Sequence, residues 1–158
     1  MRFWLVQQMV LLLVISNATP VILSLLAGRH WNQPLDGNRL FRDRRPLLGP
    51  SKTIRGILGS ILITALLAPL FSLTALQGAS FALLAMTGDL CSSFTKRRLG
   101  IASSRSVPLL DQLPETVLPL WVMQPVLGAD TYEILAAVTL FTILDLLLSR
   151  LTRPATDS

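Results

Sequence analysis

The chain contains one cysteine, Cys91, one histidine, His30, and one tyrosine, Tyr132. A lone cysteine excludes an internal disulfide, and with a single histidine no Cys/His spacing for a zinc site exists. Ser-His-Asp and Cys-His catalytic arrangements have almost nothing to draw on, whereas isolated aspartates remain available for magnesium. Charge is scarce too: 14 Lys and Arg stand against 9 Asp and Glu in 158 residues, a net +5. The basic residues are clustered without interleaved aromatics, which points to membrane topology and anionic ligands and away from nucleic acid. What the chain has in abundance is apolar surface, 51% of its residues with a mean hydropathy of +0.58. A soluble domain of this length is not so greasy; the composition is that of an integral membrane protein.

Residues 3–27 form an apolar run long enough to span a bilayer, which takes about 20 residues. It lacks the basic n-region and small-residue cleavage site of a signal peptide. Asn17 and Pro20 lie inside it: Asn17 should face protein, and Pro20 kinks the helix and frees a backbone carbonyl. Residues 57–86 are too long for one span, at about 45 Å for a core of about 30 Å, and the uncharged Pro69–Gly78 region divides them. The expected architecture is an all-α, single-domain membrane bundle over residues 1–158. Its five transmembrane helices lie near 3–27, 57–72, 75–94, 109–127 and 132–148. Loops 28–55 and 96–108 and the tail then share one face and hold every Lys and Arg except Arg2. The positive-inside rule assigns that face to the cytoplasm, with the N-terminus outside and the C-terminus cytoplasmic. A four-span alternative would divide the basic loops between two sides.

Asp89 ends up beneath the membrane surface in this arrangement, roughly 10 Å deep, with Lys96, Arg97 and Arg98 emerging at the interface. An aspartate at the centre of a membrane helix costs about 2.5–3.5 kcal/mol on insertion scales, so its presence asks for a function such as metal binding. At helical spacing Asp89, Ser92, Ser93, Lys96 and Gly100 fall on one stripe, with Arg97 at its edge. The alternative is a helix leaving the membrane with ordinary cationic anchors. In the first loop, Gly49-Pro50-Ser51-Lys52-Thr53-Ile54-Arg55-Gly56 is a turn followed by hydroxyls and cations opening a helix, a style that suits phosphate. Its glycine spacing is not that of a Walker loop, and the topology rule alone also accounts for the arginines. Asp111 and Glu115 share a face at the start of the fourth segment, where Asp111 could equally be a plain helix N-cap.

Four stretches resemble the CDP-archaeol synthase family, membrane cytidylyltransferases related to the phosphatidate cytidylyltransferases. They are Asn17-Ala-Thr-Pro20; Pro34-Leu-Asp36-Gly37 leading to Arg42, Gly49 and Lys52-Thr53-Ile-Arg55-Gly56; Gly88-Asp89 with Lys96-Arg97-Arg-Leu-Gly100; and Pro108-Leu-Leu-Asp111-Gln112-Leu113. The similarity runs from about residue 11 to 115. Two features depart from it: Pro114 stands where the family commonly has a second acid, with Glu115 beside it, and the tail from Ser149 lacks the expected polar segment.

The resemblance implies CTP and Mg2+ as ligands, and transfer of CMP to a lipid phosphate with release of pyrophosphate, in a multi-pass protein of the cell membrane whose site faces the cytoplasm. Asp89, Lys96 and Asp111 become the catalytic candidates, with Asp89, Asp111 and Glu115 for metal. Asn17, Asp36, Arg42, Lys52, Thr53, Arg55, Ser92, Ser93 and Arg97 are the substrate-binding candidates. Membrane lipids are expected neighbours, nucleic acid is not a partner, and a homo-oligomer is left open. Phosphatidate is the alternative acceptor, and a non-catalytic nucleotide- or anion-binding protein of the same fold, or a small anion transporter, is the alternative class.

Overall fold

A computed structural model describes residues 1–28, 30–103, 105 and 107–152, the side chains of 150–152 excepted. The tail beyond Thr152, expected on the cytoplasmic side, lies outside the described residues. Within them the chain is helical, and its β-structure is limited to isolated bridges. The helices are α1 (Phe3–Ala27), α2 (Ile54–Leu67), α3 (Ala75–Arg98), α4 (Gln112–Val122), α5 (Gln124–Leu127) and α6 (Thr131–Thr152), with a 3₁₀ turn over Ala68–Phe71. Among the described residues, three stretches are long and apolar enough to cross a membrane: Phe3–Ala27, Ile54–Phe71 and Thr131–Ser149.

The long apolar stretch divides where its turn formers lie. Pro69 starts the 3₁₀ turn, Ser72 takes a left-handed φ of 58°, and Thr74 caps α3. Thr74 Oγ1 accepts from the Gln77 amide at 3.2 Å and Gln77 Oε1 accepts from the Thr74 amide at 2.8 Å, a reciprocal capping box. α3 then runs only to Arg98. Gly100, expected on the Asp89 stripe, lies past the helix end with φ 75°, because the chain must reverse there.

The fourth segment differs from the single span expected over 109–127. Pro125 removes an amide that a continuous helix needs, so α4, which continues past Pro119, ends at Val122 and α5 restarts at Gln124 with Pro125 in its first turn.

Packing relies on small residues at the crossings. Pro20 has no N–H for the Ser16 carbonyl, and Ser60 Oγ of α2 supplies the missing donor at 2.7 Å, in a fully buried contact. At Gly88 a Cβ would overlap the carbonyl of Pro114, so α3 and α4 cross backbone to backbone. Met9, Leu12 and Leu13 of α1, Phe81 of α3, Leu120 of α4 and Ile134, Ala137 and Phe141 of α6 form a dry core. At that end Arg2 ties α1 to α6: its amide and Nε donate to Glu133 Oε1 at 2.6 and 3.0 Å, and its Nη2 to Oε2 at 2.7 Å. Glu133 is fully buried, so a paired cation is what makes its burial tolerable. The opposite ends of α1 and α6 are left to wall a polar cavity.

Candidate active site

The loop from Gly28 to Thr53 is folded onto the open end of the bundle by its own polar groups. Asp36 Oδ2 accepts from the amides of Leu48 and Gly49 at 2.9 and 3.0 Å, and Oδ1 from Asn38 at 3.0 Å. Burial pushes this carboxyl up, and the amides of Gly49, Leu48 and Asn38 outweigh it, holding Asp36 below the usual carboxylate range. The hairpin around the Leu40–Pro46 bridge is clipped to the end of α3 by Arg98. Its guanidinium pairs with Asp43 at 2.6 Å, donates to the Pro46 carbonyl and lies over the rings of Phe41 and Phe94 at 4.6 and 5.0 Å. Arg55 donates to the carbonyls of Gly28 and His30, closing the loop at its base.

These ties deliver Lys52 to the cavity. Its carbonyl accepts from the Leu35 amide at 2.7 Å, and the next residue, Thr53, caps α2 by accepting from the Gly56 amide at 3.1 Å. Lys52 Nζ sits between the two oxygens of Asp89, at 2.6 and 2.5 Å. Two helical turns further along α3, Lys96 pairs with Asp111 Oδ1 at 2.7 Å.

Asp111 stands at the N-cap position of α4 yet caps nothing forward. Its backbone is already helical, and its Oδ2 reaches back to the Val107 amide at 2.9 Å. Gln112, fully buried, makes a parallel bond from Oε1 to the Leu109 amide at 2.8 Å, while its Nε2 donates to Asp145 Oδ2 of α6 at 2.7 Å. Leu109 is held at φ 67°, a left-handed conformation costing about 1–2 kcal/mol for a residue with a Cβ. The two side-chain bonds within the turn hold it there.

A cavity of about 780 Å³ opens over these groups. Of the expected site residues, Asn17, Lys52, Thr53, Asp89, Lys96, Asp111 and Glu115 line it. Asp36, Arg42, Arg55, Ser92, Ser93 and Arg97 lie off its wall. Asp36 and Arg55 organise the loop, as described, and Arg42 is exposed. Ser92 and Ser93 are buried, with Ser92 Oγ returning to the Asp89 carbonyl at 2.8 Å; Arg97, also buried, donates to the Ile101 carbonyl. Gln112 and Asp145 also line the cavity and were not among the expected site residues. Asp145 lies alone in an apolar run, and its one available signal was the cost of an ionisable side chain in a membrane span.

A family model for CarS-like CDP-archaeol synthase matches residues 3–152. The chain belongs to the CDP-archaeol synthase family. The CDP-archaeol synthase of Aeropyrum pernix is 42% identical over 106 residues, 63% of this chain and 58% of that protein. That of Thermofilum pendens is 36% identical over 134 residues, 81% of this chain and 65% of that protein. The matched part of the chain thus spans about six-tenths of the length of these curated relatives. A solved structure described as an intramembrane enzyme for archaeal membrane lipids biosynthesis superposes with a TM-score of 0.74 at 36% identity, covering 92% of each chain. The Pro114 backbone packs on Gly88, and Glu115 beside it turns to the cavity wall.

Proposed function

We propose that this protein transfers CMP from CTP to a lipid phosphate, giving a CDP-activated lipid and pyrophosphate, in the manner of a CDP-archaeol synthase. The observation that carries the reading is the pair of carboxylates on one cavity, Asp89 and Asp111, each neutralised by a lysine from a different segment. A lipid phosphate is an anionic nucleophile near neutral pH, so its oxygen can attack the α-phosphorus of CTP without a strong base. As that P–O bond forms, the bond from the α-phosphorus to the bridging oxygen breaks and pyrophosphate leaves with the electron pair. Such a reaction asks for charge neutralisation and in-line positioning, not for a His or Cys catalytic pair. Lys52 and Lys96, both on the cavity wall, would neutralise phosphate oxygens.

The donor set fits magnesium. Asp89 and Asp111 offer hard oxygen ligands from two helices, and Mg2+ is ordinarily held by one or two carboxylates together with substrate phosphates. Among the described residues no three Asp, Glu, His or Cys side chains converge to cage an ion by themselves, in keeping with a site completed by the nucleotide. Asp89 and Asp111 would hold the ion, with Glu115 near them on the wall; bound there, it would supply Lewis-acid polarisation of the phosphates.

The lipid would approach from the bilayer side. Val21 and Leu25 of α1 belong both to the cavity wall and to the outer surface, at 59% and 79% exposure, so an apolar chain can leave the cavity across that face of α1. We read the whole chain as one domain of five membrane segments in the cell membrane, with α3 and the α4–α5 pair joining the three apolar spans and the cavity on the cytoplasmic face.

Labelled CTP supplied to the detergent-solubilised protein with Mg2+ and either an isoprenoid ether lipid phosphate or phosphatidate tests the reading. The expected result is a CDP-lipid from the ether lipid phosphate, abolished in Asp89→Asn and in Asp111→Asn. CTP binding without turnover on either acceptor would make the protein a nucleotide-binding component. For the topology, single cysteines placed at Arg44 and Arg105 in a Cys91→Ser background should be labelled from the cytoplasmic side alone, and labelling from opposite sides would end the five-segment reading.

A further inference from the structure

We propose that Asp145 is a positioning residue for the reaction: through Gln112 it fixes the turn that presents Asp111 to the cavity. The inference rests on Asp111 being a ligand of the metal–nucleotide complex.

Gln112 is fully buried between α4 and α6, and both ends of its amide are occupied. Nε2 donates to Asp145 Oδ2 at 2.7 Å and Oε1 accepts from the Leu109 amide at 2.8 Å. A carboxylate only accepts hydrogen bonds, so Asp145 leaves the amide one orientation, with its oxygen toward Leu109. That bond spans the left-handed residue of the turn, and Asp111, the next residue along from Leu110, closes the same turn onto Val107. Lys96 holds Asp111 from the α3 side, so the turn is braced from two helices, by Lys96 directly and by Asp145 at one remove. With an apolar residue at 145, the Gln112 amide loses its partner and is free to turn over. The Leu109 amide then loses its acceptor, and the Asp111 carboxylate its fixed direction. Partners hydrogen-bonded directly to a metal ligand are worth about 10–100-fold in metal affinity, and Asp145, which reaches Asp111 only through Gln112, takes the lower end of that range.

The test is Mn2+ titration by electron paramagnetic resonance on the full chain in detergent, with CTP present and no lipid acceptor, so that no turnover enters the readout. Asp145→Leu should weaken Mn2+ binding at least about tenfold with little change in thermal midpoint. Asp145→Asn, whose amide oxygen accepts the same bond, should stay within about twofold of the unsubstituted protein. Gln112→Met removes the link from its other end and should match Asp145→Leu, and the double substitution should be no worse than either alone. If Asp145→Leu does not fold, Gln112→Met carries the test. Asp145→Asn as damaging as Asp145→Leu, additive losses in the double variant, or Mn2+ affinity unchanged in Gln112→Met would each overturn the inference. Asp111→Asn separates the two ideas. Intact Mn2+ binding there removes Asp111 as a ligand, whereas weak binding there with Asp145→Leu and Gln112→Met unaffected removes the role of Asp145 alone.

Discussion

Lys52 and Asp89 are 37 residues apart in the chain, on the loop before α2 and in the middle of α3, yet the lysine Nζ lies within 2.6 Å of both carboxylate oxygens. The pair stores a cation and an anion in the cavity at little electrostatic cost. On the proposed function, Asp89 would hold a divalent cation and Lys52 would turn to the phosphates of the nucleotide. Lys96 and Asp111 form a second pair of the same kind.

Lys52→Met is accordingly expected to lower kcat for CDP-lipid formation by about 10²–10³. The thermal midpoint should move little, since partly exposed ion pairs contribute about 1 kcal/mol or less. Steady-state assays beside a melting curve check both. Turnover equal to the unsubstituted protein would reduce Lys52 to a counter-ion of Asp89.

The Ser16 carbonyl predicts an unusual pair of substitutions. Ser60→Ala leaves that buried acceptor without a donor and should destabilise the protein by about 1–3 kcal/mol. Pro20→Ala restores an amide at the position that bonds to Ser16 in a regular helix, so adding it to Ser60→Ala should recover much of the loss. Thermal unfolding of the two single variants and the double variant decides it, and strict additivity would show that Ser60 acts by packing alone.

Asp36 makes the loop sensitive to acid. Its carboxyl is depressed in the folded state relative to an ordinary value near 3.8, so its contribution is complete above that value and is lost as pH falls through the lower, folded one. Hydrogen exchange at the Leu48 and Gly49 amides should be slow at neutral pH and should accelerate, beyond the intrinsic rate change, well below about pH 4. In Asp36→Asn the same amides should exchange faster already at neutral pH, with the acid step gone. An identical acid step in that variant would place its origin elsewhere.

Much of this could be read from the chain before any coordinates. The turn formers around Pro69 divide the long apolar stretch as expected, and the carbonyl that Pro20 frees has its donor across a helix interface. Lys52, Asp89, Lys96 and Asp111, each singled out in the sequence, line one cavity. What residue type and spacing could not separate was a side chain that faces a ligand from one that builds the loop around it. Asp36 and Arg55 have the chemistry of phosphate or metal contacts, but their partners are backbone groups of their own loop. Ser92 and Ser93 follow the helical period of Asp89, yet close packing turns them inward. Asp145 escaped notice for the opposite reason: only the return of α6 along α4 brings it to the cavity, and no local pattern encodes that long-range approach.

The Arg2–Glu133 clasp bears on how the protein is made. It joins the first helix to the last at the end away from the cavity, and α6 is also the helix that carries Asp145 to Gln112. The last helix is thus tied at both ends to segments that precede it in the chain, and neither tie can form until that helix lies against α1 and α4.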